Sequence, residues 1–232
     1  MKKLKTALIT LGIVILVSGI IGISYFVYES IYFFTTEDAQ VYSDMVTLTP
    51  ELTGKVKDWT IKEGDLVKAG QVLGKQDLST AITSTALNPQ TMINSADTFV
   101  SKADIKSPID GKVVQSNVVK GEVISPGMEI ATIADMSHIY IKANIEETDI
   151  FSIKTGQTVD INIDAYPHKR FSGYVESIGQ ATASAFSQLP SLNTSGTFSK
   201  VTQLIPIHIA INNADDLTLM PGMNAIVKIH IK

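Results

Sequence analysis

Four histidines are the residues of this chain whose chemistry could include metal binding. His208 and His230 fall on the polar faces of predicted strands, so their imidazoles could meet if those two strands paired. Two imidazoles do not complete a tetrahedral zinc site, and the chain has no cysteine to supply further ligands. His138, at the start of a strand, and His168, in a turn, add no partner. We therefore predict solvated or hydrogen-bonded histidines and no metal site.

The acidic pairs and the single tryptophan offer no stronger chemical pattern. Glu146-Glu147 and Asp215-Asp216 are adjacent in sequence, so neither pair presents two carboxylates to one substrate, and solvated helix or loop positions explain them. Trp59 could form a ligand platform, but we interpret it as a packing residue between sheet layers. No nucleophile elbow, phosphate loop or HExxH pattern occurs in the sequence. The sequence thus predicts a protein that is not an enzyme, with no catalytic residue and no cofactor.

A glycine pattern that occurs twice determines the elements that carry these side chains. The segment GKVKDWTIKEGDLVKAG is followed later by GKVVQSNVVKGEVISPG, and both copies space three glycines ten and then six residues apart. Glycine between β-rich runs marks turns that need a positive φ or close backbone approach. Each copy predicts strand, tight turn, strand, and the two copies predict a small sandwich, the pattern of a biotinyl/lipoyl-type domain split into halves. The turn residues are Gly54, Gly64, Gly70, Gly111, Gly121 and Gly127.

A carrier domain of this type would present a modifiable lysine on a tight hairpin between its halves. Here residues 79–103 separate the halves, and they contain no Met-Lys-Met-like tip. Lys75, just before this insert, and Lys102, at its end, are more simply surface lysines in solvent. A carrier or biotin-dependent enzyme subunit therefore ranks last among the functions considered, and a covalent mass addition on lysine would be needed to revive it.

An N-terminal apolar stretch predicts the location of the protein. Residues 7–28 are uncharged and mainly apolar, and as a helix they would extend about 33 Å, enough to cross a bilayer. Three lysines precede the stretch, so residues 1–6 should stay in the cytoplasm and the rest should lie outside. The alternative is a cleaved signal peptide, but the length of the stretch and the bulky aromatic residues near its end favour an uncleaved anchor. We expect a single-pass protein of the cytoplasmic or inner membrane.

The exported part is mildly acidic. The chain carries a formal charge of −4, and without the three N-terminal lysines 16 of its 19 basic residues remain against 23 acidic ones. This balance argues against nucleic acid or anionic lipid as the main partner. The absence of cysteine excludes a lipoprotein anchor and structural disulfides.

Downstream of the repeat, apolar residues alternate with polar ones in four runs. Strict alternation gives each strand one buried face, as in an antiparallel barrel or sandwich. The runs are 139–145, 159–163, 205–211 and 225–231. Between them we predict one short helix at 146–153, a turn at 166–173 and a long Ser/Thr-rich loop at 180–200.

These elements predict a mainly β fold with an N-terminal transmembrane helix, a split biotinyl/lipoyl-like β-sandwich domain and then an antiparallel β-barrel domain. The predicted boundaries are a cytoplasmic tail at 1–6, the anchor at 7–28, a linker and entry strand at 29–46, lipoyl-like half 1 at 47–78, the insert at 79–103, lipoyl-like half 2 at 104–136 and the barrel at 137–232.

In this order the elements resemble the membrane fusion (periplasmic adaptor) protein family of the HlyD type, and within it the EmrA-like branch. The resembling stretches are 35–56, 105–113, 147–167, 198–209 and 219–229, which with the anchor cover nearly the whole chain. The resemblance implies a non-catalytic adaptor subunit of an export or efflux complex. It also implies a homo-oligomer that assembles with a polytopic membrane transporter, of major-facilitator type or alternatively of ABC type. A surface-anchored ligand-binding or sensing module is the alternative function.

Two departures from the family pattern limit what carries over. Members place a long coiled-coil hairpin between the lipoyl halves, whereas the insert at 79–103 is short, contains Asn-Pro at 88–89 and keeps no heptad spacing. Residues 91–103, even if fully helical, would span about 20 Å, so we expect a shortened hairpin. The EmrA-like pattern also has a basic residue before a proline in the penultimate barrel strand, where this chain has Leu-Ile-Pro at 204–206. An electrostatic contact at that point is not implied for this chain.

Overall fold

The computed structural model describes residues 2–77, 102–186, 202–212 and 217–231. Within these ranges the chain forms one long helix, two short 3-10 helices and twelve strands, so the predicted mainly β fold is confirmed. The chain divides into two compact units, one made of Met1–Tyr42 with Tyr140–Lys232 and the other of Ser43–Ile139. We call them the barrel unit and the sandwich unit.

The helix is α1 (Lys2–Tyr32), and the strands of the first half of the chain are β1 (Phe33–Leu48), β2 (Gly54–Trp59), β3 (Leu66–Val67), β4 (Val72–Asp77), β5 (Asp104–Lys106) and β6 (Gly111–Ser116). The remaining strands are β7 (Val123–Ile124), β8 (Ala131–Glu146), β9 (Thr158–Ile163), β10 (Phe171–Ile178), β11 (Leu204–Ile211) and β12 (Asn224–His230). The 3-10 helices are Ile150–Ser152 and Ala183–Phe186.

Helix α1 is longer than the predicted anchor and continues directly into β1. The predicted linker and entry strand at 29–46 correspond to the last turn of α1 and most of β1, because residues 29–32 contain no glycine or proline that would end the helix and Phe33 already lies in β1. Among the described residues one helix is long and apolar enough to cross a bilayer, with a candidate span at Ile15–Tyr32. None of that span is buried against protein.

The sandwich unit contains both glycine repeats. One sheet has the strand order β5-β4-β2-β7, while β6 pairs with β3 and with the first part of β8. Apolar side chains from the two copies meet in one core, at positions that correspond between the copies. The core residues include Val56, Ile61, Val67, Leu73, Ile105, Val113, Val118, Ile124, Ile130 and Ile133.

The barrel unit is an antiparallel sheet with the strand order β1-β12-β9-β10-β11-β8, and β8 also pairs with β1, which closes it. Every second residue of its strands points into the interior, as the alternating runs predicted. The buried residues include Ile141, Ala143, Ile145, Val159, Ile161, Ile163, Ile207, Ile209, Val227 and Ile229.

Two local predictions in the barrel unit need correction. The helix predicted at 146–153 shrinks to the 3-10 helix Ile150–Ser152, because successive tight turns form there: the amide of Asp149 donates to Glu146 O and that of Ser152 to Asp149 O, both at 3.0 Å. The turn predicted at 166–173 ends earlier, since the buried Phe171 already begins β10. Most of the predicted insert, 79–101, and residues 187–200 of the predicted loop lie outside the described residues.

Candidate functional site

The two glycine turns of the sandwich unit each close on the strand of the opposite copy. The amide of Gly64 donates to Val113 O at 2.8 Å, and at the equivalent position of the second copy the amide of Gly121 donates to Val56 O at 2.8 Å. In return, the amides of Val113 and Val56 donate to the carbonyls of the residue after each glycine, at 2.9 and 2.7 Å. The two copies therefore exchange equivalent hydrogen bonds: the glycine turn of each copy pairs with a strand of the other.

Five of the six repeat glycines meet one of two different steric demands. Positive φ angles of 94°, 79°, 95° and 92° occur at Gly64, Gly70, Gly121 and Gly127. A side chain is strained at such angles. Gly111 instead lies where a Cβ atom would be 2.3 Å from Ala134 O, so the close approach of two backbones requires it. Gly54 is buried in β2, opposite Ile124 of β7.

Trp59 and Ser116 occupy the same position in the two copies and contact each other. Trp59 Nε1 donates to Ser116 Oγ at 3.0 Å, and the indole packs against the sandwich core. Its ring also lies over Gly74, where a Cβ atom would be 2.4 Å from Trp59 Cε3. The packing role predicted for Trp59 is confirmed, and the glycine opposite it in β4 was the signal in the sequence that could have located its neighbour.

The two lysines weighed as carrier residues form surface ion pairs. Lys75 Nζ lies 3.5 Å from Asp104 Oδ1, and Lys102 Nζ lies 3.0 Å from Glu51 Oε2. Lys75 is also part of the β4–β5 ladder, where it pairs with Asp104. Ion pairs between exposed side chains contribute little to stability.

The structure separates the two histidines that could have met. Strands β11 and β12 do not pair, because β9 and β10 lie between them, so His208 lies opposite Lys142 of β8 instead. His230 Nε2 lies 2.9 Å from Asp160 Oδ2. Within the described ranges, no group of three histidine, aspartate or glutamate residues is placed to hold a metal ion.

One carboxyl group in the sandwich unit has a shifted pKa. The hydroxyl of Ser137 donates to Asp135 Oδ1 at 2.6 Å, and the Ser137 amide donates to the same oxygen at 2.8 Å. These hydrogen bonds stabilise the charged form and hold the pKa of Asp135 below its ordinary value. Asp135 lies within β8, at a partly exposed position. Of the acidic pairs considered above, Glu146-Glu147 is exposed, and Asp215-Asp216 lies outside the described residues.

A junction of charged and aromatic side chains joins α1 to the barrel. Lys228 of β12 donates to Glu29 of α1, and its ammonium lies 4.1 Å from the ring centroid of Phe33. The Phe33 ring in turn packs edge-on against His230, with centroids 4.9 Å apart. Sequence reasoning missed this junction, although an acidic residue directly after the apolar stretch was a signal for it. The last turn of the helix is therefore held against the last strand of the barrel.

The sequence matches two domain families in the order in which the structure places the two folds. The barrel-sandwich hybrid domain of RND membrane fusion proteins matches residues 44–136, and the YknX-like beta-barrel domain matches residues 139–229. Among solved structures, MacA from Actinobacillus actinomycetemcomitans superimposes with a TM-score of 0.63 over 85% of this chain and 80% of that one, at 19% identity. That likeness concerns the fold.

Two relatives place the chain in a family. YhbJ of Bacillus subtilis, which is named for a role in an efflux system, is 41% identical over 201 residues, covering 87% of this chain and 81% of YhbJ. The colistin resistance protein EmrA of Acinetobacter baumannii is 34% identical over 134 residues, covering 57% of this chain but 38% of EmrA. The chain thus spans most of YhbJ and well under half of EmrA. On this evidence the chain belongs to the HlyD-type family of membrane fusion proteins, in its EmrA-like branch.

Proposed function

We propose that the chain is the membrane-anchored adaptor subunit of an efflux complex, which assembles with a transporter in the same membrane to pass substrates out of the cell. Family membership carries this proposal, since YhbJ, of which the chain covers 81%, is named for an efflux system. The order of the parts along the chain supports it: an apolar helix, a sandwich built from exchanged repeats and then a barrel.

The helix supports a scaffold role because side-chain contacts, as well as the continuous backbone, attach it to the barrel. Without a linker, and with Lys228 bound to Glu29 and packed over Phe33, the barrel follows the orientation of α1. A helix that packs beside a transporter would therefore also position the barrel beside it. We place the N-terminus in the cytoplasm and both β units outside, from the basic residues before the apolar stretch.

The proposed partner is a polytopic transporter of the major-facilitator type, with an ABC exporter as the second possibility. The resemblance to the EmrA-like branch supports the first. Several copies of the chain would then assemble around the exit path as a homo-oligomer. The transported substrate belongs to the transporter, so we propose none.

Mild crosslinking of the full chain in its own membrane, followed by pull-down and mass spectrometry, tests the proposal. We expect one polytopic transporter to be recovered in near-stoichiometric amount. An equally tagged single-span membrane protein of unrelated sequence, expressed at the same level, is the control and should not recover it. Recovery of this chain alone would contradict the adaptor function and favour the surface-anchored ligand-binding module.

A further inference from the structure

Phe151 is the side chain whose position the adaptor function leaves unexplained. It is 87% exposed, more than any other large apolar side chain that the structure describes. Its two apolar neighbours, Ile150 and Ile153, are 9% and 4% exposed and belong to the barrel core. The amide of Ile153 donates to Ile150 O at 3.0 Å, so the 3-10 helix that carries Phe151 is fixed at both ends. The exposure of the ring is therefore built into the turn.

This turn lies at the end of the barrel to which α1 is attached. Gln157 Nε2 donates to Ser152 O at 3.3 Å and to Ile231 O at 3.4 Å. The amide of Ile231 donates to Tyr32 O, the last residue of α1, at 2.9 Å. A short chain of hydrogen bonds therefore connects the turn of Phe151 to the end of the helix. We call this end, formed by Ile150–Ser152, Gln157 and Ile231, the helix-side rim.

We propose that Phe151 inserts into the boundary between headgroups and acyl chains of the bilayer that α1 crosses, as a second membrane contact of the barrel unit. The inference rests on the anchoring role proposed for α1. It follows from continuity, because the rim is hydrogen-bonded to the residue at which the candidate membrane span ends. Aromatic rings favour this boundary, and Tyr25, Phe26 and Tyr28 are exposed on α1.

The charges around Phe151 determine which lipid surface it suits. Glu147 is exposed beside the 3-10 helix, Asp149 is half-buried just before it, and Lys154 is the nearest basic residue along the chain. Two carboxylates against one ammonium leave the surroundings of Phe151 net acidic. Anionic lipid repels them, so the contact must depend on burial of the ring and be strongest on zwitterionic lipid.

A second contact changes what the anchor can do. A single helix lets the barrel rotate about the helix axis and tilt on the bilayer, whereas two contacts at separate points fix both angles. The adaptor would then present one constant face to its partner.

The absence of cysteine makes a direct test practical. The exposed Thr155 lies between Ser152 and Gln157 of this rim along the chain and can be replaced without touching Phe151. The full chain with Thr155→Cys, carrying an environment-sensitive fluorophore, is reconstituted into phosphatidylcholine vesicles with and without spin-labelled lipid. Tyr25→Cys on α1 is the reference for anchoring. Met220→Cys is the matched control, because Met220 is 54% exposed beside a turn that bonds Val41 at the opposite end of the barrel.

We expect the spin-labelled lipid to quench the label at position 155 and at position 25, but not at 220. Adding Phe151→Ser to the Thr155→Cys protein should remove the quenching at 155 and leave that at 25 intact. Phosphatidylglycerol in the vesicles should weaken the quenching at 155. If 25 is quenched and 155 is not, or if Phe151→Ser changes nothing, the inference is wrong while the anchor stands. If the label at position 25 is not quenched, the anchoring itself fails.

A photo-crosslinker at position 151 gives a second test in cells. If it captures a transporter while the label at 155 is not quenched in pure lipid, the ring contacts a protein partner and the inference is overturned.

Discussion

The glycines of the repeat are required for different reasons, either a positive φ angle or a lack of space for a side chain. Gly64 needs its positive φ but has open space where a Cβ would lie, whereas Gly111 has no free space because Ala134 O would be 2.3 Å away. The glycine spacing in the sequence predicts that both positions are special, and the coordinates distinguish strain from steric overlap.

Replacing these two glycines by alanine should therefore give unequal losses. We expect Gly64→Ala to cost about 1 kcal/mol of unfolding free energy from conformational strain. Gly111→Ala should cost more, about 2–3 kcal/mol, because the new methyl group meets backbone that cannot yield. Denaturant unfolding of the full chain in detergent measures both. Gly64→Asn is the control, since Asn tolerates positive φ better than Ala and should lose less. Equal losses for Gly64→Ala and Gly111→Ala would refute the distinction.

Gln76 in the sandwich is a residue at which an apolar substitution should help. It is 5% exposed, and neither atom of its amide group has a hydrogen-bond partner in the part of the chain that the structure describes. Burying an unpaired amide opposes folding, so Gln76→Met, which keeps the length of the side chain, should raise the unfolding free energy by about 1 kcal/mol. Thermal unfolding compares it with Gln115→Met at an exposed position of β6 in the same unit, which should have no effect. A loss of stability in Gln76→Met would mean that the amide is paired.

Asp135 gives a pH dependence at this scale. Because hydrogen bonds from Ser137 lower its folded-state pKa, Asp135 stabilises the fold above its unfolded pKa, and that contribution disappears as the pH falls through the folded value. Ser137→Ala removes the hydroxyl donor and should raise the pKa of Asp135 towards the ordinary value. Carboxyl chemical shifts followed through an acid titration measure it. An unchanged titration would show that the hydroxyl does not act on this carboxylate.

At the scale of the secondary-structure elements, the testable contact is the junction between α1 and β12. Lys228 lies between the carboxylate of Glu29 and the ring of Phe33. The two charged side chains are 33% and 38% exposed, so solvent screening limits their coupling to well under about 1 kcal/mol. We expect Lys228→Glu, which opposes two carboxylates, to loosen the end of the helix.

The charge-reversed pair provides the control for the junction. Glu29→Lys with Lys228→Glu restores opposite charges and should recover most of what Lys228→Glu loses. Hydrogen exchange at the amides of residues 30–34 reports the loosening and its rescue. Faster exchange in the double variant than in Lys228→Glu alone would contradict the ion pair.

Strands were predictable from the sequence where one face of each is buried, and their order was not. The runs that became β9, β11 and β12 alternate strictly, so their buried faces follow from period two alone. Nothing in that period says that β9 and β10 separate β11 from β12, which is why His208 and His230 could be imagined opposite each other. Strand order depends on contacts between distant segments, and side-chain alternation carries no information about them. The exposure of Phe151 could not be predicted from the sequence for a similar reason. It lies near two buried isoleucines, and only the tight turn directs its side chain outward.

For the whole molecule, the apolar stretch is either an uncleaved membrane anchor or a cleaved signal peptide. An uncleaved helix keeps Glu29 and Phe33 attached to the membrane span, whereas a cleaved signal peptide would release both β units. We expect the intact mass of the membrane-extracted protein to include the apolar stretch at 7–28. Alkaline carbonate washing should leave it in the membrane, while a variant lacking residues 2–28 serves as the soluble control. A mass shorter by the apolar stretch would contradict the anchor.

The pairing of β4 with β5 has a consequence for how such a chain can change over evolution. Lys75 and Asp104 lie opposite each other, so the chain leaves the sandwich at Asp77 and returns beside the point where it left. The entropy of closing a loop grows only with the logarithm of its length, so even a fourfold longer segment there would cost only about 1.2 kcal/mol more. The exchanged turns that hold the two repeats together lie elsewhere, on the opposite copies' strands. The sandwich can therefore keep its structure while the segment inserted between β4 and β5 varies widely in length.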